Sequence, residues 1–120
     1  MTDAVFVTGL SLHAYHGVMH HEARVGQSFG LDLVLDTDLT DASRSDKLAD
    51  TVGYDQVVEI ASKAFSARRY RLVEAAAGAV AAAILDRFPR VARVQVTVHK
   101  PHAPIAATFA DVGVTIVRAR

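Results

Sequence analysis

The sequence predicts an α+β fold of the order ββααββ: a four-stranded antiparallel sheet with two helices on one face. Three observations carry this. Phe29, Leu31, Leu33 and Leu35 alternate with Gly30, Asp32, Val34 and Asp36, the period-two signature of a half-buried strand. Two central segments repeat apolar residues at helical spacing, and Pro89 stops the second. Two more alternating segments follow the helices. With 120 residues, the chain is expected to form a single domain over 1–120, large enough to bury roughly two-thirds of its extended surface.

The first strand is predicted over Ala4 to Leu12, where Val5 and Val7 alternate with Phe6 and Thr8 until Gly9 interrupts, the mark of a bulge. The second runs from Gln27 to Asp38. The first helix spans Tyr54 to Arg68 and repeats Val57, Val58, Ala61, Ala64 and Phe65; Asp55 and Glu59 lie toward its start and Arg68 and Arg69 at its end, as the macrodipole favours. The second helix spans Leu72 to Phe88. Seven alanines and Gly78 give it a very small face, and close approach of a neighbouring element is the expected reason for a glycine costing up to ~1 kcal/mol of helix propensity. The third strand spans Val91 to His99, with Val94, Val96 and Val98 on one side. The fourth spans Phe109 to Arg118, with Val112, Val114 and Ile116 on one side. Such a sheet has two free edges and one uncovered face. Edge-to-edge pairing with copies of itself, closing a ring, would remove both problems.

Composition narrows the function. Lys+Arg and Asp+Glu are 13 each, without the basic excess that nucleic acid or an anionic membrane surface demands. The absence of Cys excludes disulfides, thiolate zinc sites and cysteine nucleophiles. The N-terminus, MTDAVFVTGLSL, does not read as a signal peptide. The longest near-apolar stretch, Ala75–Leu85, falls well short of the ~20 residues of a membrane span. A cytoplasmic protein is expected.

Four polar residues stand out. Glu74 lies in an otherwise apolar run, Leu72-Val73-Glu74-Ala75-Ala76-Ala77. It either complements the helix dipole or accepts the planar N–H/NH₂ edge of a guanidine-like heterocycle. Lys100 ends the third strand; it is either a solvated lysine or a proton-transfer group held still by Pro101 and Pro104. Tyr54 opens the first helix, as a core aromatic with a wet hydroxyl or as a ring at a subunit boundary. Glu22 follows His20 and His21 in a polar segment, where solvation is the default. The six histidines include His13 and His16 three apart, but no HExxH or His-x-His pattern provides converging ligands, so no metal site is expected.

Four stretches, HGVMHHEARVGQSF (16–29), DKLADTVGYDQVV (46–58), LVEAAA (72–77) and HKPHAPI (99–105), give the chain a family resemblance. Over essentially its whole length it resembles dihydroneopterin aldolase, the folate-pathway enzyme. The resemblance implies a tunnelling fold, in which four subunits join their sheets into a 16-stranded barrel and two rings stack into an octamer, with active sites between neighbouring subunits. It implies that Glu74 anchors the 2-amino and N3 edge of a pterin, with Leu72 and Val73 beside it. Thr51, Val52 and Tyr54 come from a second subunit, Tyr54 stacking on the ring. Lys100 matches the acid/base lysine, and Glu22 the glutamate near the trihydroxypropyl chain; Glu22 and Tyr54 assist Lys100 in catalysis. No cofactor is implied, because the substrate's own C6=N5 imine takes the electrons of a retro-aldol cleavage. Two departures, Gly53 where the family often has Asn and LVEAAA in place of LIE-x-LA with Ala77 at the pocket floor, bear on affinity and leave the functional side chains in place.

Two alternatives share these residues. A dihydroneopterin triphosphate 2′-epimerase would use the same acid/base set but needs clustered cations, and Arg24, Arg44, Lys47 and Arg71 are scattered along the chain. A non-catalytic pterin-binding ring protein would not need Glu22, Tyr54, Glu74 and Lys100 together.

Overall fold

In the computed structural model, which describes residues 2–120, the chain runs β1 (Ala4–Ala14), α1 (His20–Val25), β2 (Gln27–Asp36), α2 (Thr40–Ser45), a 3-10 turn (Leu48–Asp50), α3 (Tyr54–Ser66), α4 (Val73–Arg87), β3 (Arg93–His99) and β4 (Gly113–Ala119). The sheet order is β1-β2-β3-β4, antiparallel throughout. The ββααββ expectation holds for the main elements, with some ends coinciding and the others displaced by up to four residues. The short α1, α2 and 3-10 turn are additions, too brief to show an apolar stripe in the sequence.

The apolar face of the sheet is the predicted one. Phe29, Leu31, Leu33 and Leu35 of β2 and Val94, Val96 and Val98 of β3 are buried against Val57, Ala61 and Phe65 of α3 and Ala76, Ala77, Val80, Ala81 and Ile84 of α4. Each large side chain buried this way contributes about 1.5–3 kcal/mol. The bulge expected at Gly9 is present, with the register shifting between Val7 and Leu10. It has a clear packing purpose. Val5 and Val7 face the core before it and Leu10, Leu12 and Ala14 after it, so the extra residue switches the inward set from odd to even numbers. Gly9 takes φ +70°, and its N–H donates to Asp32 Oδ1 at 2.7 Å.

Two expectations change. A Cβ on Gly78 would meet nothing within 4 Å, so within one chain no element approaches that glycine closely. β4 begins at Gly113 rather than Phe109, because the preceding residues form a loop tied to the end of β3 through Lys100 N–H to Val112 O, 2.7 Å.

The helices cover only one face. Phe6 (63% exposed) and Val117 (38%) stand in one cross-strand row with Val34 and Gln95 on the other. The result is a slab of 51 × 27 × 22 Å with a radius of gyration of 15.5 Å, against about 14 Å for a compact chain of this length. Among the described residues no helix is long and apolar enough to cross a membrane.

His16 fastens the end of β1 to the α3–α4 connection. Its Nε2 lies 2.7 Å from the Phe65 carbonyl, and its Nδ1 lies 3.0 Å from the Tyr70 amide nitrogen. A carbonyl only accepts and an amide N–H only donates, so the ring is held neutral with its proton on Nε2. It is buried among Phe29, Phe65 and Tyr70. Burial pushes its pKa below the ordinary 6.5, outweighing the upward pull of the Phe65 carbonyl. Below 6.5 the unfolded chain therefore binds a proton that the folded chain resists, and stability falls as pH falls. Urea midpoints compared between about pH 7.5 and about pH 5.5 should carry this decline, set against the opposite contribution of His99, whose folded pKa is raised. In His16→Gln, whose amide can make both hydrogen bonds without titrating, that decline should flatten; an unchanged slope would contradict the neutral assignment.

Candidate active site

The structure brings Glu22 and Lys100 into contact. Glu22, expected by default to be solvated, is instead buried in α1 (3% exposed). Its Oε2 lies 2.8 Å from Lys100 Nζ and 2.8 Å from Gln27 Nε2, and its Oε1 accepts the Met19 N–H at 3.1 Å. A carboxylate withdrawn from water is costly unless its lone pairs are occupied. Here burial raises the pKa of Glu22, but the hydrogen bonds from Lys100, Gln27 and Met19 outweigh it and hold the group below its ordinary value. The pair is therefore ionic. Lys100 reaches it because strand side chains alternate: Val98 points into the core, His99 to the open face, and Lys100 back to the helix side.

Glu74 opens onto the same end of the molecule. α4 starts at Val73, with Leu72 as its exposed N-cap residue, and no side chain caps its first turn. Two contacts anchor the approach to this helix start. Tyr70 O accepts the Gly17 N–H at 3.0 Å, and the Arg69 guanidinium donates to the carbonyls of Tyr15 and Gly17. The Gly17 segment in turn rests against the Glu22 carboxyl. Glu74, exposed in the first turn, is thus tied through Tyr70 and Gly17 to the Glu22–Lys100 pair.

Thr51, Val52 and Tyr54 lie elsewhere. Tyr54 begins α3 and is 71% exposed, while Phe65, near the end of that helix, touches His16. At 1.5 Å per residue the two ends are about 16 Å apart. Val52 and Thr51 line a cleft of about 330 Å³ with Phe88 and Pro89, beyond the C-terminal end of α4. One chain therefore separates the sequence-predicted residues into two groups, with Glu22, Leu72, Val73, Glu74 and Lys100 at one end and Thr51, Val52 and Tyr54 at the other.

Two residues essential to this geometry escaped sequence reading. Gln27 orients Glu22 through its amide N–H, and its Oε1 is buried without a partner among the described residues. Its signal was only a polar residue at the predicted start of β2. Gly17 has a φ of +142°, and a Cβ there would overlap the whole Glu22 carboxyl. His16 has both ring nitrogens taken by the backbone, so neither is free to ligate a metal. Of the scattered cations, Arg44 lies beside Asp3 and Ala4 at the start of β1, Arg24 lies in α1 beyond that strand's far end, and Arg71 immediately precedes Leu72.

Comparison with known proteins follows the same line. The family profile of FolB, dihydroneopterin aldolase, matches residues 5–117. The dihydroneopterin aldolase of Methylorubrum extorquens is 42% identical over 120 residues, covering 100% of this chain and 92% of that protein. The crystal structure of E. coli dihydroneopterin aldolase in complex with neopterin superposes with a TM-score of 0.89 at 33% identity, covering 98% of this chain and 99% of that one. A uricase from Bacillus fastidious shares the fold alone, with a TM-score of 0.72 at 16% identity over 97% of this chain and 43% of that one.

Gly17→Ala should destabilise the protein by about 1–3 kcal/mol through backbone strain alone. It should also displace Glu22 from Lys100 and lower turnover. Thermal melting and a turnover assay on the same preparation check this; wild-type values in both would refute the packing described for Gly17.

Proposed function

The chain belongs to the dihydroneopterin aldolase family and is a lyase of folate biosynthesis, and from that premise we propose how its own residues carry the cleavage. Glu22, Leu72, Val73, Glu74 and Lys100 of one subunit, with Thr51, Val52 and Tyr54 of a neighbour, form one site for 7,8-dihydroneopterin. The observation that supports this most directly is the buried Lys100–Glu22 ion pair at the end of the molecule where α4 begins. Neopterin bound to the E. coli enzyme supports the substrate class.

In this reading the Glu74 carboxylate accepts two N–H groups from the pterin's 2-amino and N3 edge, beside Leu72 and Val73, and Tyr54 of the neighbour stacks on the ring. Glu22 orients the trihydroxypropyl chain. Lys100, once its ammonium proton has passed to the Glu22 carboxylate, acts through an ordered water with help from Glu22 and Tyr54 and takes the proton of the 2′-hydroxyl. The C1′–C2′ bond then breaks, glycolaldehyde leaves, and the bonding pair moves into the C6=N5 imine to give an enamine. Lys100 then returns that proton through the same water to the enamine carbon, which yields 6-hydroxymethyl-7,8-dihydropterin and restores the ion pair. The substrate supplies its own electron sink, so the protein contributes binding and proton transfer, without a Schiff base or metal.

The shared site requires assembly. β1 and β4 are edge strands, and the sheet's second face is uncovered. Four copies joined edge to edge would close a 16-stranded barrel and bring one subunit's Tyr54 to the next subunit's Glu74, with two rings stacking as an octamer.

Lys100→Ala should keep pterin binding and lower turnover by on the order of 10²-fold or more. Glu74→Ala should weaken binding by roughly 2–4 kcal/mol. Calorimetric titration with neopterin, set beside single-turnover rates, separates the two; unchanged turnover in the lysine variant would remove Lys100 from the mechanism. Light scattering should report a tetramer or octamer. Mixing Tyr54→Ala with Lys100→Ala subunits, unfolded and refolded together, should restore up to about a quarter of the sites. No recovery would argue against a site shared between chains.

A further inference from the structure

The uncovered face of the sheet carries a charged cluster that the proposed chemistry does not use. His99 Nε2 lies 2.6 Å from Asp32 Oδ2, and His99 Nδ1 lies 2.5 Å from Asp111 Oδ2. An ionised carboxylate offers only acceptors, so each ring nitrogen has to carry a proton, and the ring that fits this place is the imidazolium. The other oxygen of Asp32 is committed to the Gly9 N–H at 2.7 Å. The cluster therefore joins the β1 bulge, the middle of β2, the end of β3 and the residue that leads into β4.

Its position matters more than its energy, since all three side chains are about one-third exposed or more. His99 immediately precedes Lys100, and Asp111 immediately precedes Val112, whose carbonyl accepts the Lys100 N–H. The loop over residues 100–112 thus begins and ends at this cluster. His99 grips the backbone from the open face while Lys100 projects to the helix side, toward Glu22.

We propose that His99 is a positioning residue for Lys100: its charged ring, bridging Asp32 and Asp111, fixes the strand end and loop base from which the Lys100 ammonium reaches Glu22. This rests on the reading of Lys100 as the proton-transfer group. The groups facing His99 are few. β2 presents Asp32, with Gly30 against the ring; the segment before β4 presents Asp111; Gly113, opposite on β4, has no side chain. The hydrogen bonds that the ring donates to Asp111 and then Asp32 hold His99 above its ordinary 6.5, against the opposing effect of burial. The Gly9 N–H and then His99 hold Asp32 below its usual range. As pH rises through the folded pKa of His99, the ring loses one N–H, a carboxylate faces a lone pair, and the loop base is released. The effect falls on kcat rather than on pterin binding at Glu74.

The test follows the His99 ring by NMR in the assembled, substrate-free protein and measures kcat and KM against pH. In the wild type His99 should titrate above 6.5, and an alkaline loss of kcat should coincide with that titration. Asp111 is at the surface, so Asp111→Asn leaves the core untouched; it should move the titration and the kcat limb down together. His99→Arg, a permanent cation with several donors, should retain neutral-pH turnover within about 3-fold and abolish the limb. His99→Leu should lower kcat by about 10-fold or more with KM changed less than about 3-fold. A kcat limb that stays in place while the His99 titration moves would overturn the proposal, as would a wild-type His99 that titrates at 6.5. The NMR arm needs no turnover. A failure of the aldolase reading would appear separately, as undiminished activity in Lys100→Ala.

Discussion

A carboxylate removed from water must be surrounded by donors, and the arrangement around Glu22 follows from that requirement. Lys100 comes from the end of β3, Gln27 from the start of β2 and the Met19 amide from the turn before α1. Each element is held in place partly by what it supplies to this one side chain. The Gly17 segment can run alongside because it has no Cβ. The connection onward to α4 passes through Tyr70 and the neutral His16. Removing one partner of such a pair typically costs more than the pair itself contributes, because the remaining charge stays buried. The ion pair therefore sets the site's geometry more than it sets the protein's stability.

How much of this was legible beforehand depended on the range of the interaction. β2 and α3 were readable because their apolar residues recur at the element's own period, and Leu31, Leu33 and Leu35 are all fully buried as the alternation demanded. The Gly9 bulge was readable because a glycine interrupts an alternating run. The two six-residue helices were not, since a turn and a half has no periodic stripe. The burial of Glu22 was invisible for a different reason: its partner lies near the other end of the chain, and its local neighbours His20, His21 and Arg24 are all exposed. Resemblance pointed to Glu22, Tyr54, Glu74 and Lys100 as a set. Gln27, Gly17 and His99, which act through those residues, became visible only once the strands were paired.

The separation of Tyr54 from Glu74 within one chain is as informative as the contact between Glu22 and Lys100. α3 and α4 lie side by side, with the start of α3 beside the end of α4. A helical pair with that direction puts its two first turns at opposite ends of the molecule, and no loop movement of ordinary size brings them together. The uncovered sheet face and unpaired edges make the same demand from the standpoint of solvation. In the proposed shared site, completing the sheet and completing the site would be one act of association.

The kink at Thr8–Gly9 has a geometric corollary. A bulge bends its strand and sharpens the local twist, and a sheet must bend to close on itself. β1 is an edge strand, so this bend falls at the seam where a neighbouring copy would join. In such a ring the angle between successive copies, and with it the circumference, would be set partly by these two residues.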